Sequence, residues 1–145
     1  MPTRPVGDII ASRGFTAVPA SATVLEVAQL MKRQHTSAVM VVGRKQALIG
    51  ICTERDVVIG AVAAGLDPAR TQVATVMTGQ PQTITPDKPF CHALHLMYEG
   101  GYHHIPVVDD SGRPLGILSA RDALRLDALE FESELIQREE ITTIL

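Results

Sequence analysis

The fold is decided by Gly50-Ile-Cys-Thr-Glu-Arg-Asp56, a stretch that returns 66 residues later as Gly116-Ile-Leu-Ser-Ala-Arg-Asp122. Each heptapeptide begins with glycine and isoleucine, has a hydroxyl residue at its fourth position and ends in aspartate. The same offset aligns apolar pairs upstream, namely Leu30-Met31 with Leu96-Met97 and Val41-Val42 with Val107-Val108. Because the register holds without a gap from residue 18 to residue 56, the sequence indicates two copies of one unit.

Each copy predicts the same order of elements: a short leading strand, a helix, a β-hairpin and a second helix. Apolar residues at helical spacing indicate the helices, and short runs rich in Val and Ile are typical of strands buried on both faces. The predicted ranges are 16–18, 23–34, 37–42, 48–52 and 53–64 in the first copy, and 82–84, 89–99, 103–108, 115–118 and 119–129 in the second. One copy of about 60 residues is marginal alone, so we predict an α+β fold in which the copies pack sheet to sheet with pseudo-two-fold symmetry.

Composition excludes several classes of function. The 145 residues are 46% apolar and 20% charged, with a formal net charge of -3, which is typical of one compact module and not of a multidomain enzyme. The negative charge argues against nucleic acid as a partner. The longest apolar run, residues 57–66, is too short for membrane insertion, and the first residues lack the apolar core of a signal peptide, so we expect a cytoplasmic protein.

Reactive side chains give no sign of catalysis or metal binding. Cys52 and Cys91 are too few for a disulfide framework or a zinc site, and we expect both to be small buried apolar residues. His103 and His104 are neighbours on a predicted strand, so their side chains point to opposite faces and cannot share one metal ion. No P-loop and no Ser/His/Asp set is evident, so we predict that the protein is not an enzyme.

The paired heptapeptides resemble the CBS motif, named after cystathionine β-synthase, which has the form Gly-apolar-x-Ser/Thr-x-x-Asp. Gly101-Tyr-His-His-Ile-Pro-Val-Val-Asp109 is similar to the second strand of that family, and Val73-Ala-Thr-Val-Met-Thr78 to the linker into its second copy. The resemblance covers roughly residues 6–128 and indicates a tandem CBS pair, or Bateman module. It implies one module over residues 1–145, with a first motif at 6–66, a second at 73–128 and a C-terminal helical extension at 129–145.

The resemblance also implies a function. Family members bind adenosine-containing ligands in clefts between the two motifs, so we expect AMP, ADP or ATP first, with S-adenosylmethionine or NAD(H) as alternatives and no metal requirement. They usually form homodimers and regulate other proteins. Because the pair uses nearly the whole chain, we predict a stand-alone energy or metabolite sensor that signals to an unidentified effector protein in trans. The alternative is a dimeric interaction module whose clefts are vestigial and whose surface or C-terminal helix is the functional part.

Residue chemistry supports such a site. Asp56 and Asp122 each offer a carboxylate that can accept hydrogen bonds from both hydroxyls of a ribose. Thr53 and Ser119 begin helices, where free backbone N–H groups favour phosphate. The alternative is that these residues only cap their helices.

The resemblance distinguishes two clefts, which we name after their aspartates. The Asp122 cleft, which we favour, is predicted to contain Asp122, Ser119, Arg121, His103, His104, Thr36, Ser37, Ala38 and Ile10. The Asp56 cleft is predicted to contain Asp56, Thr53, Arg55, Tyr102 and Met77. Arg55 and Arg121 could equally form surface ion pairs. If the histidines contact phosphate, ligand affinity should weaken as the pH rises through about 6.5.

The tail carries a further apolar pattern. Leu124, Ala128, Phe131, Leu135 and Ile136 recur at helical spacing among glutamates. Such a stripe packs within its own chain or meets a partner, and the sequence leaves both alternatives open.

Overall fold

The structure, a computed structural model, describes residues 3 to 144. The first half contains α1 (Val6–Ile10), β1 (Ala17–Pro19), α2 (Val24–Gln34), β2 (Ala38–Val42), β3 (Leu48–Thr53) and α3 (Glu54–Val57), which continues as a π-helical turn at Val58–Val62. The second half contains α4 (Val73–Val76), β4 (Thr78–Gly79), α5 (Phe90–Gly100), β5 (His104–Val108), β6 (Pro114–Ser119) and α6 (Arg121–Ile144). The predicted helices and hairpin strands are confirmed, and α6 continues without a break past residue 129.

The strands form two sheets, and β4 of the second half joins the first sheet. The first sheet has the order β1-β2-β3-β4, in which β1 is parallel to β2 and the other pairs are antiparallel. The second sheet is the antiparallel pair β5-β6, with a bulge between Val107 and Val108 that repeats the one between Val41 and Val42. The predicted leading strand at 82–84 is reduced to a single parallel bridge from Ile84 to Val107.

Helix ends bring the chain to the boundary between the copies. The Thr23 side chain caps α2 and the Thr53 side chain caps α3, each in a reciprocal capping box. Helix α2 ends at His35 with a left-handed φ of +52°, and α5 ends at Gly101 with a φ of +71°. The left-handed residue turns the chain from each helix into the following strand at the position where the two copies meet.

The segment before each copy packs on the other copy. The N–H of Val6 donates to the Lys88 carbonyl at 2.8 Å, and the N–H of Val73 donates to the Ala22 carbonyl at 2.7 Å. These two bonds are equivalent under the repeat. Helix α1 therefore packs against the second sheet, and α4 packs against the first. The sequence did not predict either short helix, because each is held by contacts with the other half of the chain.

The glycine that begins each heptapeptide leaves room for the linking segment that packs on the opposite copy. A Cβ added at Gly116 would lie 3.0 Å from the Cβ of Ile10, and one added at Gly50 would lie 2.5 Å from the Sδ of Met77. Ile10 and Met77 occupy equivalent positions in the two linking segments. The repeated glycine is therefore a packing requirement of the fold.

Each copy has its own apolar core. The first is built around Val27, Val39 and Cys52, and the second around Phe90 and Ile105. Burial, with a smaller contribution from the charge of Asp56, raises the pKa of the Cys52 thiol to about 12. Cys91 is exposed on α5, so the expectation that both cysteines are buried is wrong for this residue, which lies on the outer face of its helix.

Helix α6 leaves the body of the module. Leu126, in its first turns, is buried in the second core. The apolar residues of the predicted stripe, by contrast, are exposed, with Leu124 at 69% and Phe131 at 61%. The stripe is therefore not packed against residues 3 to 144 of its own chain.

Candidate functional site

Two clefts lie between the copies, each with one of the paired aspartates in its wall. The Asp56 cleft has a volume of about 500 Å³. The Asp122 cleft consists of two adjoining cavities of about 530 and 260 Å³, which share Thr36 and Ile117 as wall residues. Both clefts have the size of small-molecule sites.

Asp56 holds the start of α3 with one oxygen only. Its Oδ2 accepts the N–H of Thr53 at 2.9 Å, and its own N–H donates to Oγ1 of Thr53 at 3.2 Å. Within residues 3 to 144, no hydrogen bond or ion pair engages the other oxygen, Oδ1. Capping and ligand binding are therefore compatible at Asp56, because the cap leaves one carboxylate oxygen available.

The Asp122 carboxylate accepts more hydrogen bonds than the Asp56 carboxylate does. Its Oδ2 accepts the N–H of Ser119 at 2.8 Å, which repeats the cap of the first copy. In addition, the guanidinium of Arg13 donates from Nη1 to Oδ1 at 2.7 Å and from Nη2 to Oδ2 at 3.2 Å. Asp122 is only 7% exposed. This carboxylate is thus buried and holds a bidentate arginine that sequence reasoning missed.

A hydrogen bond separates the two clefts. Nε2 of His104 lies 2.8 Å from Oγ of Ser37, which joins the two copies, and both residues line both clefts. Burial, followed by the neighbouring charge of His103, lowers the pKa of the His104 imidazole below its ordinary 6.5. A neutral imidazole at neutral pH offers phosphate one N–H at most, and it gains a charge only at lower pH.

The Asp122 cleft contains most of its predicted residues. Asp122, Ser119, Arg121, Thr36, Ser37 and His104 line its larger cavity, and Thr36 and Ala38 line the smaller one. Two predicted residues lie elsewhere. His103 lines the Asp56 cleft, because it precedes β5 and is separated from the Asp122 side by His104. Ile10 packs against Gly116 in the second core.

Four of the five residues proposed for the Asp56 cleft lie in its wall: Asp56, Thr53, Arg55 and Tyr102. Tyr102 lies over Gly100, and burial raises the pKa of its phenol. Met77 packs against Gly50, and the next residues of the linker line the cleft in its place: Thr78, Gln80, Pro81 and Gln82.

Sequence reasoning missed a second group of polar residues. Lys32, His35 and Arg13 line the Asp122 cleft, and Glu54 lines both clefts. Nothing in the sequence singled them out, because their place in the cleft walls depends on how the two copies meet.

Neither a membrane-spanning helix nor a metal site is found among the residues that the structure describes. Between residues 3 and 144, no helix combines the length and apolar character that crossing a bilayer requires. In the same range, no three His, Cys, Asp or Glu side chains are grouped as a metal site requires.

Comparison with known proteins shows the class to which the fold and clefts belong. The model of the CBS domain family matches residues 6–61 and 73–128, so this chain belongs to that family and is a pair of CBS domains. It is 32% identical over 122 residues to an uncharacterised protein of Methanopyrus kandleri, covering 84% of this chain and 62% of that protein. The chain spans 18% and 15% of the length of two further relatives.

Solved structures of the same class share the fold. A CBS domain protein of Pyrobaculum aerophilum complexed with AMP matches with a TM-score of 0.75 and 25% identity, over 81% of this chain and 88% of that one. The CBS domain pair of protein MJ0100, in complex with 5′-methylthioadenosine and S-adenosyl-L-methionine, matches with a TM-score of 0.78 and 26% identity, over 89% and 99%. CBS domain pairs are generally regulatory modules and not catalytic ones.

Proposed function

We propose that this chain is a regulatory module that binds an adenosine-containing ligand, AMP, ADP or ATP first of all, and signals its occupancy to an effector protein in trans. The observation that carries the proposal is the pair of aspartates, each at the start of a helix and each facing a cleft between the copies. The adenosine ligands of two similar structures support the ligand class.

The Asp56 cleft offers the plainest ribose site. Oδ1 of Asp56 is available to accept from the hydroxyls of a ribose, and a carboxylate makes charge-assisted hydrogen bonds with both. Arg55 and His103 line the same cleft and can donate to phosphate. The preference for the Asp122 cleft that the sequence suggested stays a prediction.

A link between the copies supports signalling. The bond from Ser37 to His104 joins the copies and forms part of both clefts. A ligand in either cleft lies beside this bond, so it can favour one relative arrangement of the copies to the extent that it binds that arrangement more tightly.

Exposed apolar residues support a homodimer. Val58, next to α3, is 53% exposed, and Leu124, at the equivalent position of α6, is 69% exposed. Ile59 and Val62 extend the surface on the first copy, at 58% and 63% exposure. A repeated apolar face on both copies is suited to a self-complementary interface with a second chain.

The proposal is tested by thermal unfolding with AMP, ADP, ATP, S-adenosylmethionine and NADH, on the wild-type protein and on Asp56→Asn and Asp122→Asn. Asn retains an oxygen for the cap and removes the charge. A ligand at about 100 times its dissociation constant stabilises by roughly 2.7 kcal/mol, which raises the midpoint by a few degrees. Asp110→Asn, an exposed substitution outside both clefts, is the matched control.

A second candidate follows from the exposed stripe of α6. If no ligand moves the midpoint in any of these proteins while sedimentation shows an intact dimer, the clefts are vestigial. The function would then lie in the protein surface, where Phe131 and Ile136 are 61% and 57% exposed.

A further inference from the structure

The bidentate contact between Arg13 and Asp122 joins residues that are 109 positions apart. It places the guanidinium on the carboxylate that a ribose in the Asp122 cleft would need. With the Ser119 N–H, the carboxylate already accepts three N–H groups. A ribose diol can therefore bind this aspartate only by displacing Arg13.

Displacing Arg13 alone is unfavourable. The Arg13 side chain is 30% exposed and the Asp122 side chain is 9% exposed. Separating them would therefore leave each charge largely shielded from water and without its oppositely charged partner. The Nε of Arg13 is buried and has no hydrogen-bond partner within the described chain, residues 3 to 144. A guanidinium that leaves Asp122 therefore needs another anion close by.

A phosphorylated ligand would supply that anion. Lys32, His35 and Arg121 line the same cavity as Arg13 and Asp122, whereas Glu54 is the other acidic residue in its wall. Arginine forms bidentate hydrogen bonds with phosphate as readily as with carboxylate. Phosphate can thus take the place of Asp122 as the partner of Arg13 within one cavity.

We propose that Arg13 makes the Asp122 cleft selective for adenosine ligands that carry phosphate, by exchanging its carboxylate partner for the ligand's phosphate while the ribose takes Asp122. An unphosphorylated adenosine brings no anion for the guanidinium, and a cationic adenosine derivative adds a like charge. This inference rests on the proposed function and specifies the ligand class of one of its two clefts.

The Asp56 cleft provides the internal control. The position equivalent to Arg13 is Gln80, which lines that cleft and carries no charge. Within residues 3 to 144, no arginine or lysine forms an ion pair with Asp56. This cleft should therefore accept adenosine with or without phosphate, with the smaller preference that Arg55 and His103 provide.

The experiment is a calorimetric titration with ADP and with adenosine, in an Asp56→Asn background that disables the Asp56 cleft. With Arg13 present, we expect ADP to bind more tightly than adenosine. Arg13→Gln should reduce that preference roughly ten- to hundredfold, because a hydrogen-bonded charge pair with phosphate is lost while adenosine no longer has an arginine to displace. Arg70→Gln, at an exposed arginine outside the clefts, should leave the preference unchanged.

The reciprocal variant protects the test against a folding defect. Gln80→Arg, in an Asp122→Asn background, should raise the preference of the Asp56 cleft for ADP over adenosine. A preference that Arg13→Gln leaves unchanged in a folded protein overturns the role of Arg13. If neither ADP nor adenosine binds the Asp56→Asn protein even with Arg13 intact, the proposed function of this cleft is itself wrong and the inference falls with it.

Discussion

The Asp56 cleft and the Asp122 cleft are built from the same heptapeptide, yet their aspartates differ in burial and in hydrogen-bond partners. Among the described residues, 3 to 144, Asp56 has one carboxylate oxygen without a hydrogen-bond partner, whereas Asp122 is buried and bound by Arg13. The difference comes from the linking segments, which cross to the opposite copy and bring Gln80 to one cleft and Arg13 to the other. Two copies of a motif can therefore acquire different ligand preferences through residues outside the motif.

The largest expected effect on stability separates the two aspartates. Asp122→Ala removes a cap and leaves the partly buried Arg13 without its anion, so we expect a loss of about 2–4 kcal/mol, less than for a fully buried pair. Asp56→Ala removes only a cap and should cost about 1 kcal/mol. Urea unfolding of both variants measures the difference, and equal losses would contradict the asymmetry.

The next effect compares the two heptapeptide glycines. Gly116→Ala places a methyl group against the branched Cβ of Ile10, which cannot turn away, and should cost about 1–3 kcal/mol. Gly50→Ala meets the flexible thioether of Met77 and also, at 3.1 Å, the backbone carbonyl of Thr78, so its cost should fall in the double variant with Met77→Ala without disappearing. Denaturant unfolding measures these costs, and a cost at Gly50 that Met77→Ala leaves unchanged would show that the Thr78 carbonyl, and not Met77, sets it.

The smallest effect concerns the bond between the clefts. Because burial and His103 lower the pKa of His104 in the folded protein, the unfolded chain binds the proton more tightly. The free energy of unfolding should therefore rise as the pH increases toward and through about 6.5, and part of it should be lost below that value. His104→Gln should flatten this dependence between about pH 5 and pH 8, and an unchanged profile would assign it to another group.

The repeat made most of the fold predictable. Its elements follow from apolar spacing within each copy, and the caps at Thr23 and Thr53 are local signals. Helices α1 and α4 were not predicted, because their stability comes from hydrogen bonds with residues far along the chain, such as that from Val6 to Lys88.

The candidate site was predictable to the same extent. Asp56, Thr53, Ser119 and Asp122 stand in the repeated heptapeptide, and all four lie in the cleft walls. Arg13 was missed because a single-sequence pattern carries no sign of a contact between residues 109 positions apart. His103 was predicted for the Asp122 cleft but lies in the Asp56 cleft. Its placement likewise depends on how the copies meet.

The main hypothesis is that both clefts bind an adenosine ligand through their aspartates. A titration of ADP into the wild-type protein, Asp56→Asn and Asp122→Asn, with the number of ligands bound per chain as the readout, tests it most directly. We expect the wild-type chain to bind ADP at both clefts and each variant to lose only the site of its own aspartate. Two ligands bound per chain by either single variant would contradict it.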